Sequence, residues 1–375
     1  MCAWAPASSG GPPHRQTLLS ALVALQHLLK IVGGGTYCNK VQKCFRKCRN
    51  MMQVNIAMSS QRPAKTSERI AAHLRIMRLD HSIKQLFIVP GIVLAISLSG
   101  TGLSSRLLIR VLIGLVASTL IACSNYVINE ILDAPFDQLH PTKKNRPAAS
   151  GLVHRGWGYA QWIAMMIAGL ALSSLLGKGF LISAAALWVM GCVYNIPPIR
   201  SKEIAYIDVL TESINNPLRF CLGWYSVITV MLPPASLLIS YWMLGCYFMS
   251  LKRFSEYRQI ANPAVAASYR SSFAHYSEES LLNSATFYAA ACMLFFGAFM
   301  MRYRIELILS FPVVAWLMAA YFSLSFRHES AVQNPERLYR EPQLMIPLTI
   351  CVALIVLLLF VNLPWIGTMF PRSTP

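Results

Sequence analysis

Three of the four aspartates of the chain lie in two short segments at the ends of apolar stretches, and the first segment contains Asn129, Asp133 and Asp137. These residues are four apart, so on an α-helix they fall within an arc of roughly 80° and share one face. Oxygen ligands on one face suit a hard cation, and Mg²⁺ takes one or two carboxylates together with substrate phosphates. Pro135 lacks a backbone N–H, so we expect the helix to end or kink there and Asp137 to lie in the loop beyond.

The second acidic segment contains Asp208 and Glu212. Asn216 and Arg219 continue it with a four-four-three spacing, which places all four side chains on one face of a helix. Ionisable groups near hydrocarbon are costly and usually have a partner or a function. One interpretation is an intramembrane ion pair that stabilises helix packing. Because two such segments occur, we favour a pair of metal-binding helices around one diphosphate.

Basic residues adjoin both acidic segments. Lys143, Lys144 and Arg146 follow the first segment, and Arg200 and Lys202 precede the second. A diphosphate needs a metal that bridges its oxygens and also Lys or Arg side chains that take the remaining charge. An ordinary positively charged cytoplasmic loop would look similar. The acids immediately upstream favour phosphate binding.

These segments lie in a chain that is 55% hydrophobic and 13% charged, with a mean hydropathy of +0.48, which excludes an ordinary soluble domain. Alternating strand patterns are absent, and lipid offers backbone groups no partner, so the apolar stretches are expected to be helices. A span needs ~20 apolar residues. We predict an all-α membrane bundle of about nine transmembrane helices, at 85–103, 107–128, 158–176, 180–195, 206–228, 233–251, 281–300, 306–324 and 344–363.

Loop charges predict the orientation of this bundle. The loops after the second, fourth, sixth and eighth stretches are rich in Lys and Arg, so the positive-inside rule places them, the N-terminus and both acidic segments in the cytoplasm. Residues 1–67 contain nine Lys or Arg and no acid. They are typical of a targeting peptide or of a basic tail that touches anionic lipid. We predict that residues 68–375 form the membrane domain.

The pattern N-x-x-x-D-x-x-x-D with its K-x-x-R-P tail, followed by Y-x-x-x-x-x-R-x-K and D-x-x-x-(D/E), resembles the UbiA superfamily of intramembrane transferases over roughly residues 70–365. The resemblance implies a helical bundle in which two Asp-rich motifs hold Mg²⁺, bind a diphosphate substrate and expel pyrophosphate. Glu130, Pro135 and Glu212 depart from the family pattern. The metal ligands implied are Asn129, Asp133, Asp137, Asp208 and Glu212.

Four further stretches resemble one branch, the polyprenyl-phosphate phosphoribosyltransferases. They are Arg78-x-x-x-Ser82-x-Lys84-Gln85, His140-Pro141-Thr142-Lys143, Lys252-Arg253-x-x-Glu256 and Asn334-Pro335-Glu336-Arg337-Leu338. The branch implies transfer of 5-phosphoribosyl from phosphoribosyl diphosphate to a lipid phosphate. The alternative within the superfamily is a prenyltransferase that joins a polyprenyl diphosphate to an aromatic or quinone precursor. An ion-coupled transporter is the alternative from another class of protein.

The resemblance also implies roles for single residues. The catalytic residues expected are Asp133, Asp208, Lys143, Arg146 and Tyr194, and the substrate-binding residues are Lys84, Lys144, Arg200, Lys202, Arg219, Lys252, Arg253 and Glu256. Lys84, with Lys252 or Arg253, is assigned to the lipid phosphate, although these side chains would equally suit anchoring to lipid head groups. Glu256 is more readily an ion-pair partner of its basic neighbours than a base.

The expected partners are a polyprenyl lipid, a diphosphate donor and membrane lipid, and no nucleic acid. The oligomeric state is left open. We predict a bacterial inner-membrane protein whose active site faces the cytoplasm.

Overall fold

Helices are the only regular elements in the part of the chain that the structure, a computed structural model, describes, namely residues 66–138, 143–260, 262–328, 330–333 and 335–370. The α-helices are α1 (Thr66–Arg75), α2 (Val89–Ser99), α3 (Ser105–Asp137), α4 (Arg155–Ser174), α5 (Lys178–Asn195), α6 (Ile207–Ser213), α7 (Asn215–Val227), α8 (Ala235–Ile260), α9 (Pro263–Tyr269), α10 (Glu278–Tyr303), α11 (Phe311–Ser325), α12 (Pro342–Phe360) and α13 (Pro364–Met369). The predicted all-α class is confirmed.

Several predicted features lie outside the described residues. These are the N-terminal extension except for Thr66 and Ser67, the stretch His140–Thr142, and Asn334. The division of the chain at residue 67 stays a prediction.

Five helical stretches are long and apolar enough to cross a membrane: Ser105–Asp137, Lys178–Asn195, Glu278–Tyr303, Ile305–Ser325 and Pro342–Phe360. The other predicted spans also contain helices, namely α2, α4, α6 with α7, and α8. The predicted stretch 206–228 is two helices rather than one, since α6 ends at Ser213 and α7 begins at Asn215. The protein is therefore an integral membrane helix bundle, and the count of nine spans stays a prediction.

The long helix α3 lies at the centre of the packing that positions the candidate site. Ser104 caps its N-terminus by accepting a hydrogen bond from the Leu107 backbone N–H at 3.2 Å. It packs against α4, α5 and α7. A Cβ atom at Gly191 on α5 would lie 2.1 Å from Cγ of Asn125, so glycine is needed where α5 meets α3. This contact sets the ends of α3 and α5 side by side.

A second close approach joins α2 to α7. A Cβ atom at Gly91 would lie 2.1 Å from the carbonyl oxygen of Phe220, and one at Gly223 would lie 2.1 Å from that of Ile88. Both helices therefore use glycine to bring their backbones into contact. Phe220, next to Arg219 in sequence, is part of the main apolar core.

The connection between α8 and α10, which we call the 262–276 segment, packs against the adjoining ends of both helices. It contains α9 and a 3₁₀ turn at Ser271–His275. Phe273 and Tyr276 from this segment are buried with Phe254 of α8 and Leu281 of α10 in one apolar cluster. This small core fixes the polar residues of the segment in place.

Candidate active site

The first acidic segment lies on the last two and a half turns of α3. The prediction that the helix ends or kinks at Pro135, with Asp137 in the loop beyond, is wrong. The helix continues through Pro135 to Asp137, and the Gln138 backbone N–H still donates to the Ala134 carbonyl at 3.1 Å. Pro135 is exposed, and it removes only its own N–H from the ladder. Asp137 is therefore a buried helical residue, on the same face as Asp133.

Asp133 pairs with two basic residues of the loop after α5. Its Oδ1 accepts from Lys202 Nζ at 2.6 Å and from Arg200 Nη2 at 3.0 Å. Arg200 also pairs with Glu203, and its guanidinium lies 4.9 Å from the centre of the Phe136 ring. The acid and the cations that the sequence assigned to metal and phosphate thus form one cluster.

Asn195 joins this cluster although the sequence assigned it no role. Its Oδ1 accepts from Asn129 Nδ2 and, at 3.0 Å, from Lys202 Nζ. Burial lowers the pKa of Lys202, while the charge of Asp133 acts in the opposite direction. Tyr194 has its ring centre 6.0 Å from Lys202 Nζ, so it borders the same cluster. Adjacency to Tyr194 was the only signal that could have drawn attention to Asn195.

Arg146 brings the loop after α3 back to the helix. Its Nη1 lies 2.6 Å from Asp137 Oδ2. Lys143 lies with its Nζ 5.0 Å from the centre of the Tyr269 ring, and burial, together with the charges of Arg146 and Arg270, lowers the pKa of Lys143. Lys144 is exposed. Two of the three predicted cations of this loop therefore face the site.

Asp208 is fully buried and is held by groups from α8 and the 262–276 segment. Its Oδ2 accepts from Arg253 Nε at 3.0 Å and lies 3.8 Å from Arg270 Nη1, while its Oδ1 accepts from Tyr276 Oη at 2.7 Å. Ser272 Oγ adds a contact of 3.4 Å. Sequence reasoning missed Arg270, Ser272 and Tyr276, because they lie in a loop without a recognisable motif.

Arg253 and Glu256 form an ion pair of 3.0 Å, as expected from their spacing. Since Arg253 is buried and also bound to Asp208, it is a poor candidate for the acceptor's phosphate. Glu130, which departs from the family pattern, is likewise buried; it pairs with Arg78 at 3.4 Å and accepts from the Ala148 N–H at 3.3 Å. It therefore ties α3 to neighbouring loops.

Glu212 and Asp208 contact different residues. Its Oε1 is 3.6 Å from Lys84 Nζ, which also lies 5.9 Å from the centre of the Tyr126 ring. Lys252 is half-buried and Arg219 is buried. The candidate residues thus fall into three neighbouring clusters, around Asp133, Asp208 and Glu212.

The donor set can be tested against Mg²⁺. Within the described residues no three His, Cys, Asp or Glu side chains come together as a ready-made metal site. Mg²⁺ needs only one or two carboxylates when phosphate oxygens complete its coordination. The separate carboxylates, each beside a cation, therefore suit a metal–diphosphate complex rather than a metal held by protein alone.

Comparison with known proteins identifies a matching family and individual relatives. The model of the UbiA prenyltransferase family matches residues 87–346. Decaprenyl-phosphate phosphoribosyltransferases of Mycolicibacterium smegmatis and Corynebacterium glutamicum are 30% identical over 199 residues and 27% identical over 166 residues. The alignments cover 50% and 41% of this chain, and 57% and 45% of the relatives, so the chain spans about half the length of the curated relatives it matches.

Among solved structures, a UbiA homolog from Archaeoglobus fulgidus bound to GPP and Mg²⁺ shares the fold. Its TM-score is 0.57 at 18% identity, and the match covers 77% of this chain and 100% of that chain.

Proposed function

Since the chain belongs to the UbiA prenyltransferase family, we propose that it transfers 5-phosphoribosyl from phosphoribosyl diphosphate to a polyprenyl phosphate and expels pyrophosphate. The observation that carries this proposal is the pairing of carboxylates with cations around Asp133 and Asp208. Such clusters match a substrate that arrives as a metal–diphosphate complex. The relatives named decaprenyl-phosphate phosphoribosyltransferases support the choice of donor and acceptor.

The residues proposed to hold Mg²⁺ are oxygen donors of the two acidic segments: Asn129, Asp133, Asp208 and Glu212, with assistance from Asp137. When bound, Mg²⁺ neutralises negative charge that develops on the leaving pyrophosphate. Asn129 and Asp133 are linked through Asn195 and Lys202, so their side chains are already oriented by hydrogen bonds.

The diphosphate is proposed to bind through its oxygens to basic side chains near the two acidic segments. Arg200 and Lys202 serve from the loop after α5, and Arg146 and Lys143 serve from the loop after α3. Tyr194 is proposed to donate a hydrogen bond to the diphosphate. Donors fixed before the reaction stabilise the developing charge without reorganisation, which is the main source of acceleration in such sites.

In the chemical step the bond between ribose C1 and the diphosphate oxygen breaks, and its electron pair leaves with pyrophosphate. An oxygen of the acceptor phosphate supplies the pair for the new bond to C1. Because that oxygen is already anionic, no general base is needed. Water must be kept from the cationic carbon, and the buried position of Asp208 under the 262–276 segment suits that requirement.

The second candidate function is transfer of a prenyl chain to an aromatic or quinone acceptor. It is favoured by the family's own description and by the GPP bound to the Archaeoglobus homolog. The two functions differ in charge, because a prenyl donor brings only its diphosphate, whereas phosphoribosyl transfer adds two phosphate monoesters.

Pyrophosphate release by the purified protein with Mg²⁺ tests the proposal. One reaction contains phosphoribosyl diphosphate and polyprenyl phosphate, and the other contains polyprenyl diphosphate and 4-hydroxybenzoate. We expect release in the first only, and its loss in Asp133→Asn. Release in the second only would establish prenyl transfer instead. The absence of pyrophosphate release in both reactions would contradict both functions and would favour the transporter alternative. The cytoplasmic orientation, which rests on loop charge, and the bacterial inner-membrane location belong to the same proposal.

A further inference from the structure

Arg219 on α7 is a buried cation that the diphosphate site leaves unexplained. The residue is 7% exposed. Within the described residues its Nη1 donates to the Asn215 carbonyl at 3.5 Å, its Nε is buried without a partner, and no carboxylate lies within ion-pair distance. A buried charge without compensation is strongly unfavourable, so a position that retains one is expected to meet an anion.

Lys84 supplies a second positive charge at the same place. It comes from the 3₁₀ helix Leu79–Ile88, which lies ahead of α2 and contacts α7, the helix that carries Arg219. Glu212, 3.6 Å away, is the carboxylate that pairs with Lys84. Of these two cations, only Lys84 has a carboxylate within ion-pair distance among the described residues, so the pair keeps a surplus of positive charge.

Packing against α7 positions Lys84 relative to Arg219, because both the 3₁₀ helix Leu79–Ile88 and α2 contact α7. Gly91 and Gly223 bring the backbones of α2 and α7 into contact; Gly91 follows Lys84 by seven residues and Gly223 follows Arg219 by four. The positions of Lys84 and Arg219 therefore depend on a close helix contact rather than on surface loops. A pair of cations fixed in this way suits a doubly charged ligand.

We propose that Lys84 and Arg219 form a subsite for a phosphate monoester, separate from the residues that bind the diphosphate. The inference rests on the proposed function, which brings two such groups: the monophosphate of the lipid acceptor and the 5-phosphate of the donor. Both present the same dianionic chemistry. An aromatic acceptor would bring neither, so the subsite also bears on the choice between the two functions.

Binding tests the subsite without turnover. Thermal unfolding of the full-length protein in detergent is followed with farnesyl phosphate, farnesol or ribose 5-phosphate. We expect farnesyl phosphate, ribose 5-phosphate or both, but not farnesol, to raise the unfolding midpoint of the wild type. The control variant Arg155→Gln removes an exposed arginine and should show the same rise. Stabilisation by farnesyl phosphate alone identifies the acceptor's phosphate, and stabilisation by ribose 5-phosphate alone identifies the donor's.

The shift should disappear in Arg219→Gln and in Lys84→Gln, and Arg219→Lys should recover part of it. If Arg219→Gln does not fold, Lys84→Gln decides, since its side chain is 34% exposed and the change is better tolerated. Equal shifts in wild type and variants, or no shift from either phosphate, would overturn the subsite.

Turnover separates this inference from the proposed function. In the phosphoribosyl assay, Arg219→Gln should raise the KM for the substrate that carries the recognised phosphate by roughly tenfold or more, as expected for loss of a hydrogen bond to a charged group. The KM for the other substrate should change little. An active enzyme with both KM values unchanged contradicts the subsite alone. An inactive wild type that still binds the phosphate probe contradicts the proposed reaction alone.

Discussion

Asp133 and Asp208 have similar roles in the family pattern but different surroundings in the structure. The side chain of Asp133 is 21% exposed and pairs with Arg200 and Lys202 of one loop. Asp208 is fully buried and is bound from two elements, α8 and the 262–276 segment. Asp133 is thus accessible to a substrate, whereas Asp208 also holds the segment against the bundle. Two acids of one motif type therefore differ in how much they also support the architecture.

The largest effect is expected from Asp208→Asn, because it leaves the buried Arg253 with Glu256 alone. Removing one partner of a buried ion pair costs about 3–5 kcal/mol. The measurement is thermal unfolding in detergent, and we expect a clear fall in the midpoint. Glu278→Gln is the matched control, since Glu278 and Arg258 are 3.8 Å apart and both 48% exposed, which predicts a loss of about 0.5 kcal/mol. Equal stability of the two variants would remove the proposed contrast.

Asp133→Asn should act on activity rather than on stability. We expect pyrophosphate release to fall by about 10²–10³-fold, as when one preorganised electrostatic group is lost from an active site. The midpoint of unfolding should change less than in Asp208→Asn, because this ion pair is partly screened by solvent. Glu203→Gln, which removes the other acid beside Arg200, should keep most of the activity. A stable, fully active Asp133→Asn enzyme would argue against the assigned role.

Tyr276→Phe sharpens the comparison by removing one bond from Asp208. The Tyr276 hydroxyl donates to Asp208 Oδ1 at 2.7 Å, and a hydrogen bond to a charged group contributes about 1.5–3 kcal/mol. Unfolding measurements should therefore show a smaller loss than in Asp208→Asn. Tyr257→Phe keeps a ring that packs edge-on against Phe273, and it should leave stability nearly unchanged. The same result for both variants would mean that the ring alone holds the segment.

The smallest effect concerns pH. Burial, with the charges of Arg146 and Arg270, lowers the pKa of Lys143 from the usual 10.5, so Lys143 loses its charge at a lower pH than a free lysine. If Lys143 binds phosphate oxygens, the KM for the diphosphate donor should rise as the pH increases through this lowered pKa. Lys143→Arg stays charged and should reduce the rise to the part that comes from Lys202, whose pKa burial also lowers, whereas Lys144→Arg, at an exposed position, should leave the rise unchanged. An unchanged profile in Lys143→Arg would separate Lys143 from donor binding.

Local patterns explain which parts of this site were predictable. Apolar stretches and four-residue spacing are local, so the helical class and the shared face of Asn129 and Asp133 follow from the sequence. The continuation of α3 through Pro135 does not follow from the sequence. It depends on whether the backbone hydrogen bonds around the proline, such as that from Gln138 to Ala134, still form in the folded protein.

The 262–276 segment could not be placed at all from sequence. Tyr276 binds Asp208 across 68 residues, and no spacing rule connects positions so far apart. Asn195 was visible beside Tyr194, but its role depends on the packing of α5 against α3 at Gly191. The part of the site that the sequence does not predict therefore depends on tertiary contacts rather than on composition.

The glycine contact between α2 and α7 has a mechanical consequence. Backbones that touch at Gly91 and Gly223 leave no side-chain layer that could slide or repack. We expect the two helices to move as one body, which carries Lys84 and Arg219 at a constant separation. Any opening of the bundle to a substrate must then occur at another contact between helices.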